Sequence, residues 1–348
     1  MTTRPTGLSG SPGSPSSRGS TITGQLARLG FADPQRAERL LQDPALTGLS
    51  DPLDDVFHDG LPDALSAAAD PDQALLGLVR IVESLRDRRR AATRRRPPGG
   101  AAPPRAPVPD HDTDGAALLA ALRRAGPARE RLVAVLGASS ALVDHLVSHP
   151  EHWRCVAEAT APTARGLRET LVAAVAASTR GALPAYDALR IAYRRELLAI
   201  AALDLTSRDP VGYLPMAAEQ LAWLAEAALE AALAIAREEY GEGAADARLA
   251  VIGMGKTGGG ELNYVSDVDV IFVAEPAEGV DEERALAVAT ALATAMMKAC
   301  SAQTGEGTLW PVDPALRPEG KAGPLVRTVA SHRAYYERWA KTWEFQAL

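Results

Sequence analysis

The sequence predicts a mostly helical α+β protein in which a long helical N-terminal part precedes a small mixed sheet. Residues 21–96 and 115–240 are rich in alanine and leucine, with apolar positions at helical spacing. Strand patterns rich in β-branched residues follow, at Leu249–Ile252 and Asp267–Val273. A further helical pattern, Asp281–Cys300, comes after these strands, so we expect it to pack back onto the sheet.

The composition indicates an acidic globular protein of two or three domains. The 348 residues carry a formal net charge of −7 and a pI of about 5.5, so the chain as a whole does not attract nucleic acid. Its two cysteines, Cys155 and Cys300, are far apart and form no metal-binding or redox spacing. No apolar stretch is long enough to cross a membrane, and residues 1–20 lack the apolar core of a signal peptide. We therefore predict a cytoplasmic protein with a disordered tail over residues 1–20.

The first helical segment, residues 21–96, contains a strongly amphipathic helix, Pro71–Arg90. Its apolar stripe consists of Ala74, Leu75, Leu78, Ile81, Val82 and Leu85. Arginines follow up to Arg96, directly before the proline- and glycine-rich residues 97–114, which we interpret as a linker. Because no aromatic residues are interleaved with the arginines, a solvated linker edge is favoured over a nucleic-acid site.

Three histidines near the middle of the chain raise the question of a zinc site. His145 and His149 share a helical face, but Pro150 is expected to end that helix before His152. A fourth ligand is not evident from the sequence. The favoured interpretation is an ordinary helix end with a docked Trp153 rather than zinc.

Helix continues to residue 240 in the predicted second segment. Pro184–Tyr240 is almost entirely helical in pattern, and Met216–Tyr240 is an alanine- and leucine-rich helix with Trp223 as its bulky residue. We interpret this helix as core packing without chemistry. The turn Gly241–Ala244 marks the predicted boundary to a third segment, residues 241–328, which holds the strands.

The candidate chemistry lies in Leu249–Val273, which reads LAVIGMGKTGGGELNYVSDVDVIFV. Because strand side chains alternate, Asp267 and Asp269 point to one side of their strand, and the intervening apolar residues take the other: Val268, Val270 and Phe272. Two adjacent carboxylates repel each other, and a hard divalent cation is the usual compensation. Just upstream, the glycine-rich turn Gly253–Gly260 leads into ELNY, a predicted helix start, and offers backbone amides to phosphate. This combination suits metal-assisted phosphoryl or nucleotidyl transfer.

The same glycines also match the G-x-G-x-x-G pattern of dinucleotide-binding folds, with Glu275 at the distance of a ribose-binding acid. We reject this alternative because the residues from Gly258 to Asp267 are too few for a crossover helix. Such a fold would also place Asp267 and Asp269 in a central parallel strand, which is normally apolar.

Two further elements complete the predicted sheet domain. Glu306–Asp313 is a predicted third strand, and Pro311 places it at a sheet edge because proline cannot donate to a ladder. Val329–Leu348 is a predicted final helix that ends without a glycine cap or a proline, which we interpret as the end of a truncated product.

Two stretches resemble the glutamine synthetase adenylyltransferase/adenylyl-removing enzyme family. GMGKTGGGELNYVSDVDVIFV is similar to its nucleotidyltransferase motif, and VDPALRPEGKAGPLVR to a later segment that contributes a third carboxylate, here Asp313. HPEHW, ending at Trp153, is also similar to the family. The chain departs from the pattern at Pro314 and Ala315, where the family usually has leucine and arginine, although Arg317 is kept.

The resemblance implies a polymerase-β-like nucleotidyltransferase fold and a set of site residues. Asp267, Asp269 and Asp313 are implied to be catalytic and to hold one or two magnesium or manganese ions. The implied nucleotide- and phosphate-binding residues are Lys256, Gly258, Gly259, Gly260, Ser266 and Arg317. Arg194 and Arg195, on a helix that the family shares, either form a charged surface or approach the nucleotide, and the sequence leaves both open.

The implied activity is removal of AMP from a tyrosine of glutamine synthetase by phosphorolysis, which releases ADP. The helical segment before the motif and the GGGELN…SDVD version of it match the N-terminal half of family members, so we expect an adenylyl-removing domain without the transferase half. Implied partners are glutamine synthetase, ATP or ADP, phosphate and a PII-type signalling protein. Two alternatives stay open, a nucleotidyltransferase with another acceptor and a non-catalytic fragment that binds glutamine synthetase or a regulator.

Overall fold

The computed structural model describes residues 22–47, 60–94, 111–178 and 184–346. The predicted tail over residues 1–20 lies outside them, as does most of the predicted linker. The helices before the sheet are α1 (Ile22–Arg28), α2 (Pro34–Leu41), α3 (Pro44–Thr47), α4 (Leu61–Leu65), α5 (Pro71–Arg94), α6 (His111–Arg123), α7 (Pro127–Ala138), α8 (Ser140–Ser148), α9 (Trp153–Ala157), α10 (Ala164–Ser178), α11 (Ala185–Leu205) and α12 (Pro210–Tyr240). The remaining elements are β1 (Ala247–Gly253), α13 (Gly255–Gly258), β2 (Val268–Pro276), α14 (Glu282–Ser301), β3 (Val312–Asp313), β4 (Val326–Arg327), α15 (Val329–Arg338) and α16 (Thr342–Gln346).

Helix α5 confirms the predicted amphipathic helix and extends it by one turn. All six residues of its apolar stripe are buried, and the helix packs against α6, α7 and α8. Arg86 donates to the Pro44 carbonyl, and Arg88 donates to Glu151 at 3.0 Å. These two members of the arginine run therefore hold α5 against neighbouring elements. The side chain of Arg94 and the rest of the run beyond it lie outside the described part of the chain.

Helix α11 contributes to both hydrophobic cores of the molecule. Leu198 and Ala201 belong to the core formed by α1–α9, whereas Leu189 and Ile200 belong to the core shared with α10, α12, α14 and the sheet. A rigid helix that is buried on both sides couples the two packed units. The division of the chain at residues 240 and 241 stays a prediction.

The sheet is small and mixed, as predicted, and β2 is its central strand. β1 pairs antiparallel with β2 along its whole length, from Ala247 opposite Pro276 to Gly253 opposite Val270. β3 and β4 both pair parallel with β2. The antiparallel β1–β2 pair contradicts a dinucleotide-binding fold, which needs parallel strands there. Together with the helices, this sheet confirms the predicted α+β, mostly helical class.

Two local predictions in the sheet domain differ from the structure. The third strand was expected over Glu306–Asp313, but β3 has only two residues, because Thr304 and Gly307 form a tight turn and Pro311 cannot donate to a ladder. The predicted helix at Glu261–Tyr264 is a loop. The helix lies earlier, in α13, and ends where Gly260 takes a φ of +69°, which is outside the right-handed helical region.

The predicted final helix is also wrong in its continuity, because α15 and α16 are separate. α15 ends at Arg338 and is capped by Trp339, whose amide donates to the Tyr335 carbonyl at 2.8 Å. Glu344 then accepts from the Lys341 amide at 2.7 Å and from the Tyr335 hydroxyl at 2.7 Å. A buried carboxylate with two donors fixes this break in the helix.

Among the described residues, no single helix is both long and apolar enough to cross a membrane. α7 and α8 reach the required length and composition only together, and the break between them bends the pair by 111°. Their apolar residues, including Leu132, Val135 and Leu146, are buried in the helical core.

Candidate active site

Three carboxylates meet at the point where β2 begins. Asp269 and Asp313 are register partners in the parallel β2–β3 pair, and Asp267 comes directly before β2. One oxygen from each of the three carboxylates lies within 4.8 Å of the others. Asp267 is exposed and the other two are half-buried, so the group opens to solvent. The structure therefore brings together all three carboxylates named from the sequence.

The alternation along β2 explains why the carboxylates share a side. Val268, Val270 and Phe272 are fully buried against the core. Asp269 lies between them in sequence and is directed to the opposite side of the strand. The Ala315 amide donates to Asp313 Oδ1 at 2.8 Å, which fixes the third carboxylate on its short strand.

The electrostatics of the triad favour a divalent cation. Burial raises the pKa of Asp269, and the neighbouring negative charges of Asp267 and Asp313 raise it further. The positive charge of Lys256 lowers this pKa in part. The three carboxylates destabilise one another, and their oxygens are the donors that magnesium and other hard cations prefer. The donor set thus fits a divalent metal, and the residues that would hold it are Asp267, Asp269 and Asp313.

This repulsion leads to a prediction for the metal-free protein. Because the pKa of Asp269 is raised on folding, its charge destabilises the folded state above that pKa, and the penalty disappears as the pH falls through it. We expect Asp269→Asn to raise the Tm in EDTA at about pH 7 and to lose this advantage toward about pH 4. Thermal unfolding measures the effect, and magnesium should stabilise the wild type but not the variant. An unchanged Tm in EDTA at neutral pH would contradict the proposed repulsion.

The glycine-rich turn is packed so tightly that two of its positions have no room for a side chain. At Gly255, which has a φ of +52°, a Cβ atom would lie 2.9 Å from Asp269 Oδ2. At Gly258 a Cβ atom would lie 2.3 Å from the Gly253 carbonyl oxygen. The Met254 amide also donates to the Asp269 carbonyl at 2.9 Å. The glycines therefore allow the turn to rest directly on the start of β2.

The amides of the predicted phosphate-binding glycines already donate to carbonyls of the same turn. The Gly258 and Gly259 amides donate to the carbonyls of Met254 and Gly255, both at 3.0 Å, and the Gly260 amide donates within the same turn. Binding of phosphate by these amides requires an exchange of those bonds. Lys256 is exposed and close enough to Asp269 to lower its pKa.

Ser266 and Arg317 flank the carboxylates along the chain. Ser266 is half-buried, directly before Asp267. Arg317 is buried and donates to the Pro314 carbonyl at 2.8 Å and to the Gly323 carbonyl at 3.2 Å. Its guanidinium thus braces the turn that follows Asp313. The phosphate-binding roles of Ser266 and Arg317 stay predictions.

The two arginines left open by the sequence bond elsewhere. Arg194 donates to the carbonyls of Glu306 and of Thr308, the latter at 3.0 Å. Arg195 donates to Cys155 Sγ at 3.4 Å. Glu275, the acid considered for ribose binding, accepts from the Val329 amide at 3.1 Å at the start of α15. In this conformation Arg194, Arg195 and Glu275 therefore all have structural partners.

The site and the fold together define the class of the protein. A small mixed sheet carries three converging carboxylates, a glycine-rich turn lies against them, and helices cover the opposite face. This arrangement is the one expected of a nucleotidyltransferase, in which carboxylates hold a divalent metal at a nucleotide phosphate.

Comparison with known proteins gives the family. A family model described as glutamate–ammonia ligase adenylyltransferase matches residues 129–348. A bifunctional glutamine synthetase adenylyltransferase/adenylyl-removing enzyme of Streptomyces avermitilis is 49% identical over 337 residues, which cover 96% of this chain and 30% of the relative. Enzymes of the same name from Streptomyces coelicolor and Mycobacterium avium are 48% and 44% identical, with 96% and 93% of this chain and 30% and 28% of the relatives covered. The chain belongs to the glutamate–ammonia ligase adenylyltransferase family and spans about 30% of the length of these relatives.

Proposed function

We propose that this chain removes AMP from an adenylylated tyrosine of glutamine synthetase by phosphorolysis. The observation that carries the proposal is the carboxylate triad beside the glycine-rich turn, because nucleotidyl transfer needs charge neutralisation at a phosphate. The names of the relatives support glutamine synthetase as the protein substrate. A PII-type regulator and a cytoplasmic location, consistent with two free cysteines, belong to the same proposal.

The reaction is a displacement at the phosphorus atom of the AMP group. An oxygen of inorganic phosphate forms a bond to that phosphorus, and the bond from phosphorus to the tyrosine oxygen breaks. The tyrosine oxygen takes up a proton, and ADP is released. Divalent metal supplies charge neutralisation for the phosphate oxygens when it is bound.

The residues of the chain have separate roles in this displacement. Asp267, Asp269 and Asp313 would hold the metal, with the half-buried pair fixed in register by β2 and β3. Lys256 adds positive charge near the triad from the exposed side of α13. Because Asp267 is exposed, the site admits a phosphate group that is attached to another protein.

The chain could either remove AMP or attach it, and the motif favours removal. The GGGELN…SDVD version of the motif and the long helical part before the sheet resemble the N-terminal, adenylyl-removing half of family members. Attachment of AMP from ATP would use the same carboxylates and would release pyrophosphate instead of forming ADP. The two directions are therefore distinguished by their products.

The experiment is ADP release from adenylylated glutamine synthetase in the presence of phosphate and magnesium. We expect phosphate-dependent ADP from the wild-type chain and none from Asp267→Asn, while Glu278→Gln, at an exposed acid after β2, serves as the matched control. AMP incorporation from ATP into unmodified glutamine synthetase would replace the removal assignment with the transferase one. Metal-dependent nucleotide binding without turnover on glutamine synthetase would favour another acceptor or a binding role, and neither binding nor turnover from a folded chain would reject the site.

A further inference from the structure

A second cluster of metal-ligating side chains lies away from the carboxylate triad. His145 is on α8, His149 directly follows α8 as its C-terminal cap, and His152 is in the 3-10 turn that comes next. Their rings are close together, with centroids 4.8 Å apart for the first two and 5.2 Å for His145 and His152. Glu306, from the turn before β3, joins them with its Oε2 atom 3.0 Å from His149 Nε2. Each of His145, His149 and Glu306 offers a ligand atom within 4.8 Å of the other two.

The cluster is sheltered from solvent. His145 is buried, and the side chain of His149 is only 13% exposed. Burial lowers the pKa of His145 to about 3 and that of His152 to about 4, so both rings are neutral at physiological pH. Neutral imidazole with a free nitrogen lone pair is the usual transition-metal ligand. At present His145 Nε2 and His152 Nδ1 share a hydrogen bond of 3.0 Å.

The Glu306 turn is held in place by other side chains. Arg194 donates to the Glu306 carbonyl and Arg190 donates to the Gly307 carbonyl at 2.8 Å. The guanidinium of Arg194 is thereby directed to backbone oxygens rather than to the Glu306 carboxylate. That carboxylate is free to face the histidines, which supplies the ligand that sequence reasoning lacked.

We propose that His145, His149 and Glu306 bind one zinc-class transition-metal ion, with His152 completing the site. Imidazole nitrogens together with a carboxylate suit zinc rather than magnesium or calcium, which prefer all-oxygen ligands. Bonds of about 2.0–2.2 Å to nitrogen and oxygen require a small inward movement of these side chains. The ion joins the end of α8 to the turn before β3, so it ties the helical part of the chain to the sheet. The predicted helix end and the docked Trp153 are both present, and zinc, which the sequence interpretation set aside, is our addition to them.

The test uses the 348-residue chain with Asp267→Asn and Asp269→Asn, which removes the competing carboxylate site. The protein is stripped with chelator and titrated with Co²⁺ and then with Zn²⁺. We expect one equivalent of Co²⁺ to give visible d–d absorption with intensity typical of low coordination number, and zinc to displace it and raise the Tm. No variant of the cluster is needed for this measurement, so it does not depend on whether such a variant folds.

Two further variants identify the ligands. Glu306→Gln is expected to weaken zinc binding by at least about tenfold, because even loss of an outer-shell partner costs this much. The control is Glu158→Gln, at an exposed acid directly after α9. Circular dichroism of the metal-free variants confirms folding. Absence of stoichiometric Co²⁺ and Zn²⁺ binding, or equal binding by folded Glu306→Gln, would overturn the site and leave a hydrogen-bonded histidine cluster.

Discussion

Replacing Asp313 by asparagine is expected to slow ADP release from adenylylated glutamine synthetase by at least about a thousandfold. Asparagine has nearly the same shape and keeps an oxygen that can accept from the Ala315 amide, so β3 should remain in register. The variant therefore removes one negative charge without removing the fold. Loss of one of three carboxylates weakens metal binding and removes several kcal/mol of charge stabilisation from the transition state.

The measurement is the initial rate of ADP formation at saturating magnesium, together with magnesium binding by calorimetry. Asp246→Asn is the matched control, because Asp246 pairs with Arg284 at 3.0 Å on the surface and takes no part in the triad. We expect this control to retain activity within about twofold, since exposed ion pairs contribute little to stability. Near-normal turnover in Asp313→Asn would show that the third carboxylate is dispensable and that β3 does not complete the site.

The second large effect is expected on stability, from Arg190→Met. Arg190 has no exposed surface and donates to the Tyr186 carbonyl at 2.7 Å, to the Gly307 carbonyl at 2.8 Å and to the Ala302 carbonyl. Methionine fills the space of the apolar stem but leaves the carbonyls of Gly307 and Ala302, which follow α14, without this donor. We expect the free energy of unfolding to fall by about 2–6 kcal/mol, because each of the two buried carbonyls loses a donor at a cost of about 1–3 kcal/mol.

Urea denaturation followed by circular dichroism measures this loss. Arg195→Met on the same helix is the control, because its side chain is 49% exposed and makes only a 3.4 Å contact to Cys155 and a 3.8 Å ion pair with Glu196. A change below about 1 kcal/mol is expected for the control. Equal effects of the two substitutions would mean that the buried network around Arg190 does not stabilise the junction between α11 and α14.

Local rules were sufficient for the elements whose pattern is self-contained. The apolar stripe of α5 and the alternation along β2 follow from periodicity alone, and both are confirmed by burial. The start of α14 was also predictable, because Asp281 caps it by accepting from the Arg284 amide at 2.9 Å. The third carboxylate came from the resemblance rather than from periodicity, since a strand of two residues has no period to detect.

Features that depend on tertiary contacts could not be predicted from sequence patterns. β4 was not predicted, because its two residues become a strand only by pairing with Phe272 and Val273 of β2. The helix break before α16 depends on Glu344 reaching the Lys341 amide. The sequence did not associate Glu306 with the histidines, because it lies far from them along the chain. They meet only in the folded protein, where Arg194 of α11 holds the turn that carries Glu306. Side-chain patterns carry no information about such distant partners.

The parallel pairing of β3 with β2 has a consequence for folding order. Asp267 and Asp269 are placed by a local hairpin, β1 with β2, whereas Asp313 arrives only after α14 has crossed back and closed a long loop. Non-local contacts of this kind form slowly, because closing the loop costs entropy before the new contacts stabilise the chain. We therefore expect the triad to assemble in two stages, with Asp313 joining Asp267 and Asp269 only when β3 pairs with β2.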